Sequence, residues 1–318
     1  TARRRFMLLL GKKRWLTRVT TIRGSSLSRI WPRLLVVTVI ATVVTVGHQR
    51  YGLIPTSLTP LPFSLIAVAL GIFLGFRNNT SYDRYWEGRK LWGALVNNSR
   101  SVTRQVLTLI HPQSDADADE VQALRIELVH RVIAYVHVFR HHLRETDALD
   151  EIRGLIPEPE RLALVDEINR PAAVLQTLGD RISEAWRRGW VDPMHLPILE
   201  ASLTAITNIQ GGCERIKSTP IPGSYTILIH RIVAVYTCGL PFGIVDAIGY
   251  YTPVVVLLIS YAFFGLDAVG DEIEDPFGTE DNDLPLETLS RMIEVNLRQR
   301  LGETDLPPLL TPTDCVLR

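Results

Sequence analysis

The sequence predicts an all-α membrane protein with four transmembrane helices per subunit and a helical cytoplasmic domain. Three observations lead there: charge is sorted along the chain, four uncharged runs approach the length of a bilayer, and the polar stretch between them carries helical periodicity without a strand pattern. Composition alone hides this, since 318 residues with 34 basic and 34 acidic side chains and 46% hydrophobic residues match an ordinary soluble protein. The sorting is what counts. Between Thr1 and Tyr82 there is no Asp or Glu, while nine Arg and Lys precede Ile30. Cys213, Cys238 and Cys315 form no CxxC pair, so they read as packing or surface residues rather than as a disulfide or zinc framework.

A helix spans about 30 Å of hydrocarbon with roughly 20 apolar residues. The first run, Leu34 to Gly47, is short but flanked by Trp31 and by His48 to Tyr51, which suit the interface. The second lies between Tyr51 and Phe76, its helix expected to start near Pro60 or Pro62 because proline is tolerated in a first turn. The third, Ile221 to Val245, is interrupted by His230 and Arg231, and the fourth is Ala247 to Leu266. Loop charges orient them. Arg3, Arg4, Arg5, Lys12, Lys13, Arg14, Arg18, Arg23 and Arg29 precede the first span, against only Arg50 after it, so the basic side stays in the cytoplasm. Arg77, Arg84, Arg89 and Lys90 return the chain inside, and Asp246 suits the outer turn after span three. Both termini are then cytoplasmic. The apolar piece Phe6 to Leu10 is too short for a signal peptide, and the basic segment reads as lying on anionic lipid.

These boundaries divide the chain into a basic cytoplasmic segment (1–30), transmembrane helices one and two (31–77), a helical cytoplasmic domain (78–220), transmembrane helices three and four (221–268) and a cytoplasmic tail (269–318). Helical spacing of Tyr82, Tyr85, Trp86, Trp92 and Val96 carries the second helix past the membrane surface. His111 to Asp119 reads as a loop, Val121 to Leu143 as helix, Gly154 to Pro159 as a break, and a further helix runs to about Trp186. Asp192 and Pro193 read as cap and first turn of another, ending before Ser218. The acidic, proline-bearing tail after Asp275 is expected to be only partly ordered.

Few residues invite catalysis. His130, His137 and His141 share a helix face, and an i, i+4 pair can hold a metal, but no HExxH glutamate is present. A solvated or inter-helix face is the better account, and no metal is expected. No nucleotide loop or nucleophile elbow occurs, Cys213 has no base beside it, and basic residues do not alternate with aromatics as a nucleic-acid surface requires. His230 and Arg231 are costly inside a span and mark either a functional group or the cytoplasmic edge of a span beginning at Ile232. Val68, Ile72 and Phe76, spaced by four, form an apolar stripe followed by Arg77, Asn78 and Asn79. Periodicity alone favours a packing face. In a ring of identical subunits the same stripe would line a pore that gates by dewetting.

RGS at Arg23 to Ser25, FLGFRNNTSYDRYWEGRKLWG at Phe73 to Gly93, QGGCERI at Gln210 to Ile216, STPIPGSY at Ser218 to Tyr225 and DEIEDPFGTEDNDLPL at Asp271 to Leu286 together resemble the bestrophin family, its bacterial branch most closely. The resemblance implies a homopentameric channel around a central pore, with no catalytic residue. Its neck falls at Val68, Ile72 and Phe76, placed by counting back from Arg84, Tyr85 and Trp86, and a cytoplasmic aperture falls at Met194. Asn78, Asn79 and Asp246 are the pore-mouth candidates. The implied function is passive conduction of small monovalent ions, chloride-type or sodium-type, through the inner (plasma) membrane, with lipid and four further copies as partners. The alternatives are a membrane-bound metalloenzyme built on the three histidines and a non-conducting scaffold. The family's calcium clasp maps to Glu280, Asp281 and Asp283, but Thr279 and Asn282 stand where carboxylates would help fill the roughly 6 to 8 oxygen positions calcium takes. No cofactor is therefore required, and calcium is at most an optional ligand held with main-chain carbonyls.

Overall fold

Prolines and glycines set the ends of the helices in the computed structural model, which describes residues 25–52 and 59–310 and the backbone of 7–8 and 316–317. The helices are α1 (Leu27–Gln49), α2 (Pro60–Leu109), α3 (Ala118–Arg144), α4 (Glu158–Ala163), α5 (Arg170–Arg187), α6 (Leu196–Ser218), α7 (Gly223–Ile248), α8 (Thr252–Glu274) and α9 (Leu286–Leu301). Proline opens α2 and sits in the first turn of α4, α5 and α8, where its missing N–H costs nothing. Gly302, at φ 80°, ends α9 in the left-handed conformation that a side chain disfavours. Two-residue strands β1 (Met7–Leu8) and β2 (Val316–Leu317) pair antiparallel.

The described residues fall into two compact units. One is drawn from Leu10–Trp86 and Thr219–Pro276, the other from Thr1–Leu9, Glu87–Ser218 and Phe277–Arg318. In the first, Leu27–Gln49, Pro60–Leu109 and Gly223–Glu274 are long and apolar enough to cross a membrane. The last of these is a hairpin: it turns back at Gly249–Tyr251, and Tyr236 meets Phe263 edge-on at 5.3 Å. Its core is Ile30, Leu34 and Val37 of α1, Leu70 and Leu74 of α2, Val233 and Leu240 of α7 and Val256 and Phe264 of α8. Leu35, Val39, Val43, Val235, Val254 and Leu258 stay exposed, the pattern of helices whose outer surface has lipid rather than water as solvent.

α1, α7 and α8 pack closely on one another, whereas α2 joins them through longer side chains. Near one end of its apolar part the Phe63 ring fills a notch over Gly239 and Gly243, where a methyl group on Gly243 would collide with the ring. Small residues permit this approach, as is common between membrane helices. In the second unit Trp92 of α2 stacks on Phe139 of α3 at 5.7 Å, and Phe139 on Tyr135 at 5.8 Å. α3 is the hub, packing against α5, α6 and α9.

Several boundaries differ from the sequence reading. α1 starts earlier than Leu34 and accommodates Pro32 in its second turn. The turn between α7 and α8 falls at Gly249–Tyr251 rather than at Asp246, because Gly249 supplies a φ of 56° there. Asp192 holds a turn rather than capping α6 directly: its Oδ1 accepts from Met194 N at 2.7 Å, and the helix begins at Leu196. The tail beyond Asp275 contains α9, which buries Leu286, Leu289, Ile293 and Leu297. Those four positions do repeat at helical spacing, a signal the acidic, proline-bearing surroundings obscured. The basic residues before Ser25, the first two residues of RGS and Cys315 lie outside the described residues.

Candidate functional site

In α2 the two faces have opposite character. Leu70, Leu74, Arg77 and Ser81 are buried. On the far side Val68, Ile72 and Phe76 are 65%, 54% and 63% exposed, in line with Leu61 and Leu65 before them. Gly71 and Gly75 border this stripe, and a methyl group on either would meet nothing within 4 Å. The stripe turns polar at once beyond Phe76, with Asn79 and Asp83 exposed on the same face. Asn78 is half-buried and donates from Nδ2 to the Leu266 carbonyl at 3.0 Å.

Directly behind Phe76, all four helices of this unit send a charged or titratable group to one point. Arg77 Nη1 donates to Asp267 Oδ1 at 2.8 Å, and its Nη2 donates to Asp271 Oδ1. His230 Nε2 lies 3.2 Å from Asp267 Oδ2 and 3.3 Å from Asp271 Oδ2, and Arg33 Nη1 lies 3.6 Å from Asp267 Oδ2. Arg77 and Asp267 are fully buried. Arg77 and Asn78 can dock on α8 because residue 270 is glycine, where a methyl group would collide with Asn78 Oδ1. Ligating atoms of His230, Asp267 and Asp271 lie within 4.8 Å of one another, a spacing that fits a metal. The donor set does not: two guanidinium groups already neutralise the two carboxylates, and a metal would have to displace them.

Sequence reasoning singled out His230 and missed its partners. The available signal was Asp267 and Asp271, spaced i, i+4 at the end of an apolar run about as far beyond Gly249 as His230 lies before it. His230 sits inside α7, so the helix does not begin at Ile232.

The remaining candidates are dispersed. Asp246 is exposed at the end of α7 and pairs with His48 Nε2 at 2.7 Å. Met194 is 78% exposed in the turn before α6. Asp283 is buried and its Oδ2 accepts from Glu280 N at 2.6 Å, closing the loop that also holds Asp281. His130, His137 and His141 do not converge on a shared ligand position. His130 pairs with Glu303 at 2.7 Å, His141 with Glu151 at 2.8 Å, and buried His137 lies between Glu151 (3.1 Å) and Glu294 (3.0 Å). Burial disfavours a charged His137, but hydrogen bonds to Glu151 and Glu294 outweigh it and hold its pKa above the ordinary 6.5. These histidines tie helices together. Burial likewise pushes the Cys213 thiol up, which makes it an inert packing group.

Residues 7–299 match the family model described as Bacterial/Fungal Bestrophin protein. The chain belongs to the bestrophin family. This bestrophin is 43% identical over 292 residues to a voltage-dependent anion channel-forming protein of Ralstonia nicotianae, covering 92% of this chain and 94% of that one. It is 39% identical to a protein of the same description from Mesorhizobium japonicum, over 92% of this chain and 91% of the other. Among solved structures it resembles a bacterial bestrophin homolog from Klebsiella pneumoniae with a TM-score of 0.79 and 32% identity, covering 88% of this chain and 100% of that one. The bestrophin relatives named here are described as channel-forming proteins, which tells against the metalloenzyme alternative.

Proposed function

We propose that this bestrophin conducts small monovalent ions passively through a pore on the axis of a homopentamer, with Val68, Ile72 and Phe76 of each copy forming its apolar neck. The observation that carries this reading is the face of α2 itself, where a row of exposed apolar side chains ending at Phe76 gives way to Asn79 and then Asp83 within about two turns. Five such rows around an axis make a constriction that water enters reluctantly and that modest widening would wet. Asn79 then stands at the inner mouth of the neck, with Asn78 behind it docked on α8, Asp246 at the outer end of the spans and Met194 at a cytoplasmic aperture. Four passes would keep both termini on one side, which this reading takes as the cytoplasmic side of a bacterial inner membrane, with 78–220 and 269–318 inside.

An uncharged neck does not choose between charge signs, so selectivity rests on the charges near its mouths. The names of the relatives favour anions. No cofactor is required for conduction, and the Asp283 carboxylate serves to close its loop by accepting from Glu280 N.

The test is flux from the purified protein in liposomes under sodium and chloride gradients. Ile72→Ala is expected to raise flux severalfold by widening the dry segment. Unchanged flux, or a purified protein with the mass of a monomer, would end this reading.

A further inference from the structure

We propose that the cluster of Arg33, Arg77, His230, Asp267 and Asp271 is a proton-responsive clamp that sets the position of the neck helix, with Arg77 its positioning residue and His230 its proton site. The inference rests on the neck reading above and extends it to regulation.

Among the four helices of this unit α2 is the one least closely packed against its neighbours, and it is anchored on either side of the neck positions. Phe63 sits in the notch at Gly239 and Gly243 on one side, and Arg77 reaches Asp267 and Asp271 on the other. Val68, Ile72 and Phe76 lie between these anchors, and Phe76 is the residue before Arg77. A change in the hold on Arg77 therefore acts on the innermost neck position directly.

The hold is shared. Arg77 takes the Oδ1 atoms of Asp267 and Asp271, while His230 Nε2 faces their Oδ2 atoms without a well-directed hydrogen bond. With His230 neutral, two aspartates face two arginines and the cluster balances. A proton on His230 adds a third cation, which draws both carboxylates towards α7 and repels the Arg77 guanidinium. Arg77 already leaves its Nε buried without a partner, so its bonds to the two carboxylates carry the anchoring. The charged groups facing His230 are Arg33 from α1, Arg77 from α2, and Asp267 and Asp271 from α8. Histidine is the side chain that changes charge near neutral pH. Its side chain is 37% exposed, while the Nε2 that faces the carboxylates is buried.

The experiment measures sodium chloride flux from liposomes holding the full chain, with the same pH on both sides, at about pH 8 and about pH 5.5, either side of the ordinary histidine range. Parent flux is expected to rise severalfold on acidification. His230→Gln should stay at the parent's high-pH level throughout, and His230→Arg at its low-pH level. Asp271→Asn, which removes one carboxylate from Arg77, should also sit at the low-pH level and stands in for a histidine variant that does not elute with the parent on gel filtration. A parent without pH response, or a His230→Gln variant that keeps the parent's rise, overturns the clamp. Ile72→Ala in the same vesicles separates the two readings. If it raises flux while His230→Gln still responds to pH, the neck stands and the clamp falls; if it leaves flux unchanged, the neck fails and the clamp falls with it.

Discussion

The two units solve the problem of buried charge in opposite ways. In the unit with the apolar helices, charge gathers at one knot: Arg77 and Asp267, both fully buried, with Asp271, His230 and Arg33 around them. In the other unit it is spread over a network in which acids serve several bases. Glu127 accepts from Arg131 and Arg181, Glu294 from Arg291 and Arg298 while facing His137, and Glu151 pairs with His137, Arg140 and His141. The difference follows from the surroundings. Among apolar helices no water stands ready to replace a lost partner, so each member depends on the others, whereas a network near water shares the loss.

Arg77→Met tests the knot most severely. It leaves Asp267 buried with only Arg33 and His230, and about 3–5 kcal/mol of stability should be lost in thermal unfolding of the solubilised protein. Arg131→Met is the matching break in the network. Glu127 keeps Arg181 and Glu160 is half-exposed, so about 1–3 kcal/mol is expected in the same measurement.

A titration sharpens the comparison further. The raised pKa of His137 means that its folded state binds the proton more tightly, so its contribution is complete below the ordinary 6.5 and is lost as pH rises through the raised value. Glu151 resists ionisation through burial, but hydrogen bonds from His137 and His141 more than offset this, and Glu294 behaves alike with His137; both contribute above 4.5 and lose that contribution as pH falls through their lowered values. Melting temperature should therefore peak between pH 4.5 and 6.5, and His137→Gln should flatten the alkaline side of that profile. Smallest of all, Arg153→Ala removes a fully solvated pair with Asp150 and should move stability by less than about 0.5 kcal/mol. A large effect there would mean that surface pairs hold this unit, and the contrast with the knot would lose its basis.

Much of the fold could be read along the chain. The apolar runs, the prolines at helix starts and the helical repeat from Tyr82 to Val96 each act within a few turns, and the single helix from Pro60 to Leu109 follows from them. The stripe of Val68, Ile72 and Phe76 was legible for the same reason. Its exposure was not, because a period says which residues share a face and not what that face meets. α9 was legible and overlooked, since Leu286, Leu289, Ile293 and Leu297 repeat as an amphipathic helix should.

By itself the sequence determined the apolar helices, the continuous α2 and the family, because spacing, proline geometry and motif order are properties of neighbours along a chain. Only the tertiary structure decided that Arg77 meets Asp267, 190 positions away, that His137 is held between two glutamates, and that Gly243 and Gly270 are the places where α2 can come close. Charge pairing and close approach depend on distance in space, and a hairpin turn shifted by a few residues is enough to change every partner.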